Sequence, residues 1–333
     1  MVEFQKIHKA DVLILRVYFF RYCEGKCDIQ CGMKKWIVIF VVVGGLLFMV
    51  PYFFRGETLT GEEASCELFI TVAGVAEPLA LEEYVKGVVA AEMPIRFELE
   101  ALKAQAIAAR TYAVRSTNYG AIAIEASTRR QVFKSLEERT EAWGDVDQAE
   151  TYEEKLVEAV SATAGKVLMH EGELITAMFH ASSNGQTESA ENYGGRAVAY
   201  LQSVSSPEKL VQVQKFKVAE LNEMLGVDWS VGEWQRVSGL LERNSSGRVS
   251  TVKGAGFEWS GREFRDLLGL RSTAFEMVVD ILAREVSFTV VGYGHGVGMS
   301  QEGANLLAKD GMAAEEILKH YYSGVKIVPL KCE

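Results

Sequence analysis

A proline separates two consecutive helical patterns in this 333-residue chain. Leu81–Ala91 carries apolar residues at helical spacing, and Glu98–Asn118 carries a second such pattern. Pro94 disfavours the α region at Met93, so the first helix is predicted to end there. Glu92 would then lie at a helix end, in a corner covered by the next helix. Partial desolvation in such a corner raises the pKa of a carboxyl group, as a general acid requires near neutral pH.

The composition predicts a folded protein that does not bind nucleic acid. Hydrophobic residues make up 48% of the chain and charged residues 24%, which is enough for a sizeable core. The net charge is −10 and the isoelectric point about 5.2. An acidic protein gains nothing from the release of phosphate counterions, so we expect no nucleic-acid partner.

An uncharged apolar stretch, Trp36–Phe54, is close to the roughly 20 residues that cross a bilayer as a helix. Lys34 and Lys35 precede it, whereas acidic residues predominate soon after it. This charge bias predicts a cytoplasmic N-terminus and an extracytoplasmic C-terminal region in the cell membrane. A cleaved signal peptide is the alternative reading.

These features divide the chain into four parts. We expect a cytoplasmic segment at residues 1–35, a transmembrane helix at 36–54, a linker at 55–66 and one large extracytoplasmic domain at 67–333. Met33 resembles a natural start, which leads to the hypothesis that residues 1–32 are an upstream extension of the gene model.

The five cysteines do not predict a metal site. Cys23, Cys27 and Cys31 have no histidine or fourth cysteine nearby to complete a tetrahedral site. Cys66 and Cys332 lie at the two ends of the extracytoplasmic part, and a disulfide between them is an open alternative whose geometry the sequence does not set.

The fold class is predicted as α+β, because helices and β-hairpins alternate without a βαβ rhythm. Beyond the two helices around Pro94, the patterns predict a strand at Leu68–Val75, a hairpin of Lys166–Met169 with Leu174–Phe179, and strands at Trp234–Leu241, Arg248–Val252, Phe275–Val279 and Val286–Val291. Further helices are predicted at Thr151–Ala164, Val218–Leu225, Ser260–Leu268, Ser300–Lys309 and Ala313–Tyr321.

Two further segments carry clusters of polar and glycine residues. Phe179–Tyr193 (FHASSNGQTESAENY) is rich in hydroxyl and amide side chains, which hydrogen-bond sugar hydroxyls but also favour ordinary turns. Gly292–Gly311 (GYGHGVGMSQEGANLLAKDG) has glycines that let the backbone approach a ligand, in a register that does not fit a dinucleotide site. Ser300 is predicted to cap the helix that follows.

Together with Leu81–Val114, these segments closely resemble the stage II sporulation protein D family, in the family's order and over about Leu68 to Val328. The family contains membrane-anchored lytic transglycosylases, and amidase enhancers share its domain. The resemblance implies cleavage of peptidoglycan glycan strands stripped of stem peptides, during engulfment in sporulation. It also implies partnership with the amidase stage II sporulation protein P and with stage II sporulation protein M. An enhancer that binds glycan without cutting it is the alternative function.

The resemblance matches Glu92 to the family's essential glutamate in the motif Glu-Met-Pro. Such an enzyme needs one carboxyl group, because the C6 hydroxyl of N-acetylmuramic acid supplies the nucleophile. The candidate substrate-binding residues are Gln105, Arg110, Tyr112, His180, Ser182, Ser183, Gln186, Glu188, His295, Ser300 and Gln301.

Several of these residues keep alternative readings. Gln105 and Tyr112 share a helix face that is predicted to meet substrate, whereas Arg110 lies off that face and is as well suited to pairing with a carboxylate. Glu188 is the strongest candidate for a second carboxylate among Glu98, Glu100, Glu188, Glu191 and Glu302. Glu302 also stands where the family usually has an aromatic residue, which weakens a stacking role there.

No cofactor is expected. Some members of the family hold zinc between the first two motifs, but residues 126–143 of this chain contain neither cysteine nor histidine. The four histidines after the apolar stretch are dispersed along the chain and are predicted to be structural: His170, His180, His295 and His320.

Overall fold

A computed structural model describes residues 67–127 and 130–331 of the chain. Its mixed helices and strands confirm the predicted α+β class. No helix among the described residues is both long and apolar enough to cross a bilayer. The predictions for residues 1–66, including the transmembrane helix at 36–54, and for the Cys66–Cys332 disulfide lie outside the described residues.

The helices of the described residues are α1 (Leu81–Glu92), α2 (Leu99–Ser116), α3 (Leu136–Trp143), α4 (Val146–Ser161), α5 (Ala190–Gly194), α6 (Val218–Leu225), α7 (Val231–Ser238), α8 (Gly261–Leu267), α9 (Gln301–Lys309) and α10 (Ala314–Tyr321). The strands are β1 (Phe69–Ile70), β2 (Leu79–Ala80), β3 (Lys166–His170), β4 (Glu173–Leu174), β5 (Phe179–His180), β6 (Val211–Lys217), β7 (Glu242–Arg243), β8 (Val249–Gly254), β9 (Phe257–Ser260), β10 (Phe275–Asp280), β11 (Glu285–Val291), β12 (Met299–Ser300) and β13 (Lys326–Pro329).

Helix α2 is the centre of the larger hydrophobic core. Its buried alanines leave room for close approach, and α1, α4, α9, α10 and β3 all pack against it. Strand β3 lies between β13 and β4 in an antiparallel sheet. Segments that come before and after residues 211–291 therefore pack around one helix.

A second core lies in residues 211–291, which we call the inserted lobe. The antiparallel sheet β10-β11-β6 packs against α6, α7 and α8, and a second sheet has the order β7-β8-β9. Trp234, Phe264 and Phe288 are completely buried in this core. The lobe follows Phe179–Tyr193, which we call the polar segment, and precedes Gly292–Gly311, which we call the glycine-rich segment. It therefore separates two of the predicted motifs in the sequence.

Three strand predictions are corrected. The segment Trp234–Leu241 is not a strand: α7 covers most of it, because Ser230 and Glu233 form a capping box and bury Trp234 and Val237 one turn apart. The hairpin partner of β3 ends at Leu174. The predicted strand Leu68–Val75 is regular only over β1.

Candidate active site

Glu92 is the last residue of α1, as Pro94 predicts. Met93 adopts an extended conformation with φ −119° and ψ 139°, so the helix cannot continue. The side chain of Glu92 points to two partners on other elements. Its Oε1 accepts a hydrogen bond from the Val132 backbone amide at 2.9 Å, and its Oε2 accepts one from Nε2 of Gln301 at 3.4 Å.

Burial raises the pKa of Glu92 above its usual value, although the hydrogen bonds from Val132 and Gln301 act in the opposite direction. The C-terminal end of a helix dipole also disfavours a negative charge. The carboxyl group is only partly buried, so a substrate oxygen can approach it. This combination favours a group that carries a proton and can release it.

A short extended segment covers α1 and brings Val132 to Glu92. Gln131 accepts a hydrogen bond from the Tyr84 hydroxyl at 3.0 Å, and the Phe133 ring stacks on Tyr84 at 5.6 Å. Gly87 makes this approach possible, since a Cβ there would meet the Phe133 ring and the next carbonyl. The corner is thus covered by residues 131–134 and by the start of α9.

The polar segment and the glycine-rich segment are interleaved rather than merely adjacent. Strand β5 pairs in parallel with β12, which places Phe179 opposite Met299 and His180 opposite Ser300. Gly298 has φ +74°, and a Cβ there would collide with the carbonyl oxygen of Met178. The glycine therefore serves close backbone packing between the two motifs.

Ser300 caps α9 as predicted, because its hydroxyl accepts a hydrogen bond from the Gly303 amide at 3.2 Å. The capped helix presents Gln301, its first residue, to Glu92. In this way the third motif reaches the carboxyl group that ends the first helix.

Both motif histidines are neutral at physiological pH. Burial, His295 and Arg248 hold the pKa of His180 well below its usual value, and the His180 ring contacts Ser183 Oγ at 2.9 Å. Burial and Arg265 lower the pKa of His295 to about 4. The two rings lie 5.7 Å apart. Neither histidine therefore contributes a positive charge to the site.

Glu208 connects the two motifs and was not identified from sequence. Its buried carboxylate accepts hydrogen bonds from the Ser183 amide at 2.6 Å, from the Ser206 hydroxyl at 2.6 Å and from the Ser300 hydroxyl. Tyr321 extends the network through Ser206 at 2.7 Å. No local pattern in the sequence marks Glu208, because its partners come from distant segments.

Glu188 is buried, and both of its oxygens are occupied. They accept hydrogen bonds from the Ser189 amide, Asn192, Asn244 and Ser246 at 2.7–2.9 Å. The neighbouring Arg248, also missed from sequence, donates to the Gln186 carbonyl at 3.0 Å. Glu188 thus ties the polar segment to the inserted lobe. The Gln186 side chain itself is exposed, and Ser182 is buried.

The candidates on α2 do not all gather at Glu92. Arg110 is completely buried and pairs with Glu82 through Nε at 2.9 Å and Nη2 at 2.6 Å, which is the alternative left open by its position on the helix. Glu82 lies about 15 Å along α1 from Glu92 at a rise of 1.5 Å per residue. Gln105 is fully buried, and neither of its side-chain polar atoms has a partner among the described residues; Tyr112 is half-buried.

A cavity of about 130 Å³ lies between the motif segments and the inserted lobe. Its lining includes Glu188, Tyr193, His295, Arg262 and Arg265, and does not include Glu92. Within residues 67–127 and 130–331, no three histidine, cysteine or acidic side chains are grouped so that they could hold a metal ion.

Comparison with known proteins places the chain among its relatives. Residues 71–170 match the family model described as stage II sporulation protein. The chain is 40% identical to stage II sporulation protein D of Bacillus amyloliquefaciens over 81% of this chain and 80% of that protein, and 39% identical to its namesake in Bacillus subtilis strain 168 over 81% of each. It is 26% identical to the amidase enhancer of Bacillus subtilis over 73% of this chain and 40% of that protein. With such identity over four fifths of both chains, this protein belongs to the stage II sporulation protein D family.

Proposed function

We propose that the protein is a lytic transglycosylase that cleaves the bond between N-acetylmuramic acid and N-acetylglucosamine in peptidoglycan glycan strands. The observation that carries the proposal is the position of Glu92, a partly buried carboxyl group at a helix end with two hydrogen-bond donors around it, where burial raises its pKa. Such a group is suited to donate a proton and then to take one back.

In the proposed reaction, the protonated Glu92 donates its proton to the glycosidic oxygen while the bond from that oxygen to C1 breaks. The positive charge that develops at C1 and the ring oxygen is oxocarbenium-like. Glu92, now a carboxylate, accepts the proton of the C6 hydroxyl as O6 bonds to C1. The products are a 1,6-anhydro end and a free 4-hydroxyl, no water is consumed, and Glu92 is protonated again.

The reaction needs one carboxyl group, and the surroundings of two other candidates, Glu188 and Glu100, fit that requirement. Both oxygens of Glu188 are taken up by donors of the fold. Glu100 is paired with Lys103 at 2.7 Å. The Val132 backbone amide and the Gln301 side-chain amide beside Glu92 stabilise its charged state in the second half of the reaction.

The test is digestion of glycan strands stripped of stem peptides, followed by mass spectrometry of the products. We expect 1,6-anhydro ends. Products with reducing ends alone would replace the proposal with a hydrolase, in which water attacks C1.

The alternative is an amidase enhancer that holds glycan without cutting it, and it is favoured by the likeness to the Bacillus subtilis amidase enhancer. Glycan retention by the purified protein with no bond cleavage, together with faster hydrolysis by an added amidase, would support this alternative.

The family relationship also supports the proposed setting. We propose that the protein acts outside the cytoplasm in sporulation, on denuded strands of the septal wall during engulfment, and is held by one transmembrane helix at residues 36–54. Stage II sporulation protein P and stage II sporulation protein M are its proposed partners. Co-purification of the full-length chain from sporulating cells tests both partnerships.

A further inference from the structure

We propose that the cavity between the motif segments and the inserted lobe is a subsite for a sugar that carries a carboxylate, held by Arg262 and Arg265. In denuded peptidoglycan this sugar is N-acetylmuramic acid, whose lactyl group ends in a free carboxylate. The inference rests on the proposed glycan substrate and adds a specificity site separate from Glu92.

The walls of the cavity combine the side chains that sugar recognition requires. The polar segment contributes Asn192 and Tyr193, the glycine-rich segment contributes His295, and the inserted lobe contributes the hydroxyl groups of Ser250 and Thr273. Hydroxyl and amide groups hydrogen-bond sugar hydroxyls. The cavity is formed only because the lobe folds back onto the motif segments.

Two guanidinium groups give the cavity its charge. Cζ of Arg262 lies 4.2 Å from the centroid of the Tyr193 ring, and this cation–π contact holds the guanidinium group against the cavity wall. Arg265 donates from Nε to the Leu270 carbonyl at 3.1 Å. Its Nη1 lies 3.6 Å from Asp266, whose side chain is 68% exposed, and an exposed pair of this kind holds an arginine weakly. A bidentate carboxylate is the preferred partner of such a group.

The other titratable groups of the lining do not cancel this charge. The lining holds one carboxylate, Glu188, against the two guanidinium groups, so one positive charge remains in excess. His295 is neutral, because burial and the nearby Arg265 lower its pKa to about 4. A positive cavity in a chain of net charge −10 selects for an anionic substituent rather than for glycan in general.

The experiment measures binding by the full-length chain that carries Glu92→Gln, so that no cleavage interferes. The probes are a muramic tetrasaccharide with free lactyl carboxylates, the same tetrasaccharide with stem peptides attached, and a tetrasaccharide of N-acetylglucosamine alone. We expect the first to bind most tightly, with a preference that decreases at high salt. Arg265→Gln should weaken binding of the first probe by roughly 10-fold or more and leave the uncharged probe unchanged. Arg262→Gln should act in the same direction.

Arg236→Gln is the matched control, because Arg236 lies exposed on α7 in the same lobe and outside the cavity lining. Equal affinity for charged and uncharged tetrasaccharides, or equal weakening of both by the cavity variants, would overturn the inference. Tight arginine-dependent binding of the peptide-bearing probe alone would overturn the lactyl assignment. Binding that follows the prediction while the wild-type chain cleaves no glycan would leave this subsite intact and remove the proposed enzymatic activity.

Discussion

Oε2 of Glu92 and Nε2 of Gln301 lie 3.4 Å apart, although 209 positions separate the two residues in the sequence. The contact joins the C-terminal end of α1 to the first residue of α9. It brings a carboxyl group with a raised pKa together with a neutral amide that stabilises the same group when it is charged. This pair is the part of the site on which the following predictions concentrate.

Replacing Glu92 by glutamine should abolish most of the cleavage. The variant keeps the shape of the side chain, and its amide oxygen can still accept from Val132. Its amide nitrogen can only donate, so Gln301 must turn its own oxygen towards it, and the variant has no acidic proton to transfer. We expect glycan cleavage to fall by about 10²- to 10⁴-fold, measured by release of anhydro products. Glu98→Gln, an exposed neighbour beyond Pro94, should retain wild-type activity. A Glu92→Gln protein as active as the wild type contradicts the assignment.

Replacing Gln301 by methionine should shift the dependence of activity on pH. The hydrogen bond from Gln301 lowers the pKa of Glu92, so its loss raises that pKa further. Because the acid must be protonated to act, the alkaline limb of the pH–rate profile should move to higher pH. Glu302→Gln, next to Gln301, is the control. An unchanged alkaline limb in Gln301→Met would show that Gln301 does not tune the acid.

Replacing Glu92 by glutamine should also make the folded protein more stable than the wild type at neutral pH. The folded state holds the Glu92 proton more tightly than the unfolded state, whose pKa is the usual 4.5. Stability of the wild type is therefore lost as pH rises from 4.5 through the raised pKa. Glu92→Gln does not titrate, so its melting temperature should match that of the wild type below pH 4.5 and exceed it at higher pH. A constant difference at all pH values would refute the raised pKa.

Gly303→Ala should disrupt the network around Glu208. A Cβ at this position would lie 2.5 Å from Oε2 of Glu208 and would meet the Tyr321 hydroxyl as well. Overpacking of this kind typically costs about 1–3 kcal/mol. Urea unfolding measures this loss, and activity should fall because Ser300 and α9 shift. Gly232→Ala in α7, where a Cβ would meet only Ser230 Oγ at an ordinary contact distance of 3.9 Å, should be neutral or stabilising. Equal stability of the two variants would argue against a tightly packed network.

Helix boundaries were the most predictable part of the fold. Pro94 predicted the end of α1, and Ser260 and Ser300 predicted the starts of α8 and α9, because each effect acts within one turn of the chain. The strand prediction at Trp234–Leu241 was wrong because it missed a local signal. The capping box of Ser230 and Glu233 marks a helix there.

The site was predictable only in part, for the same reason. Glu92 and the raised pKa followed from its place at a helix end, but the groups that cover it did not. Arg110 could be read as a substrate ligand or as a buried partner of a carboxylate until Glu82 was found beside it. Glu208 carried no signal at all.

The amino-acid sequence by itself determined where the helices end, which residue terminates α1 and which family the motifs resemble. Those features depend on φ restriction, capping and spacing between residues a few positions apart. The tertiary structure alone decided that Val132 and Gln301 meet Glu92, that Glu208 links the two motifs and that an arginine-lined cavity opens beside them. Contacts between segments 40 to 209 positions apart arise from packing of the whole domain, which no local pattern encodes.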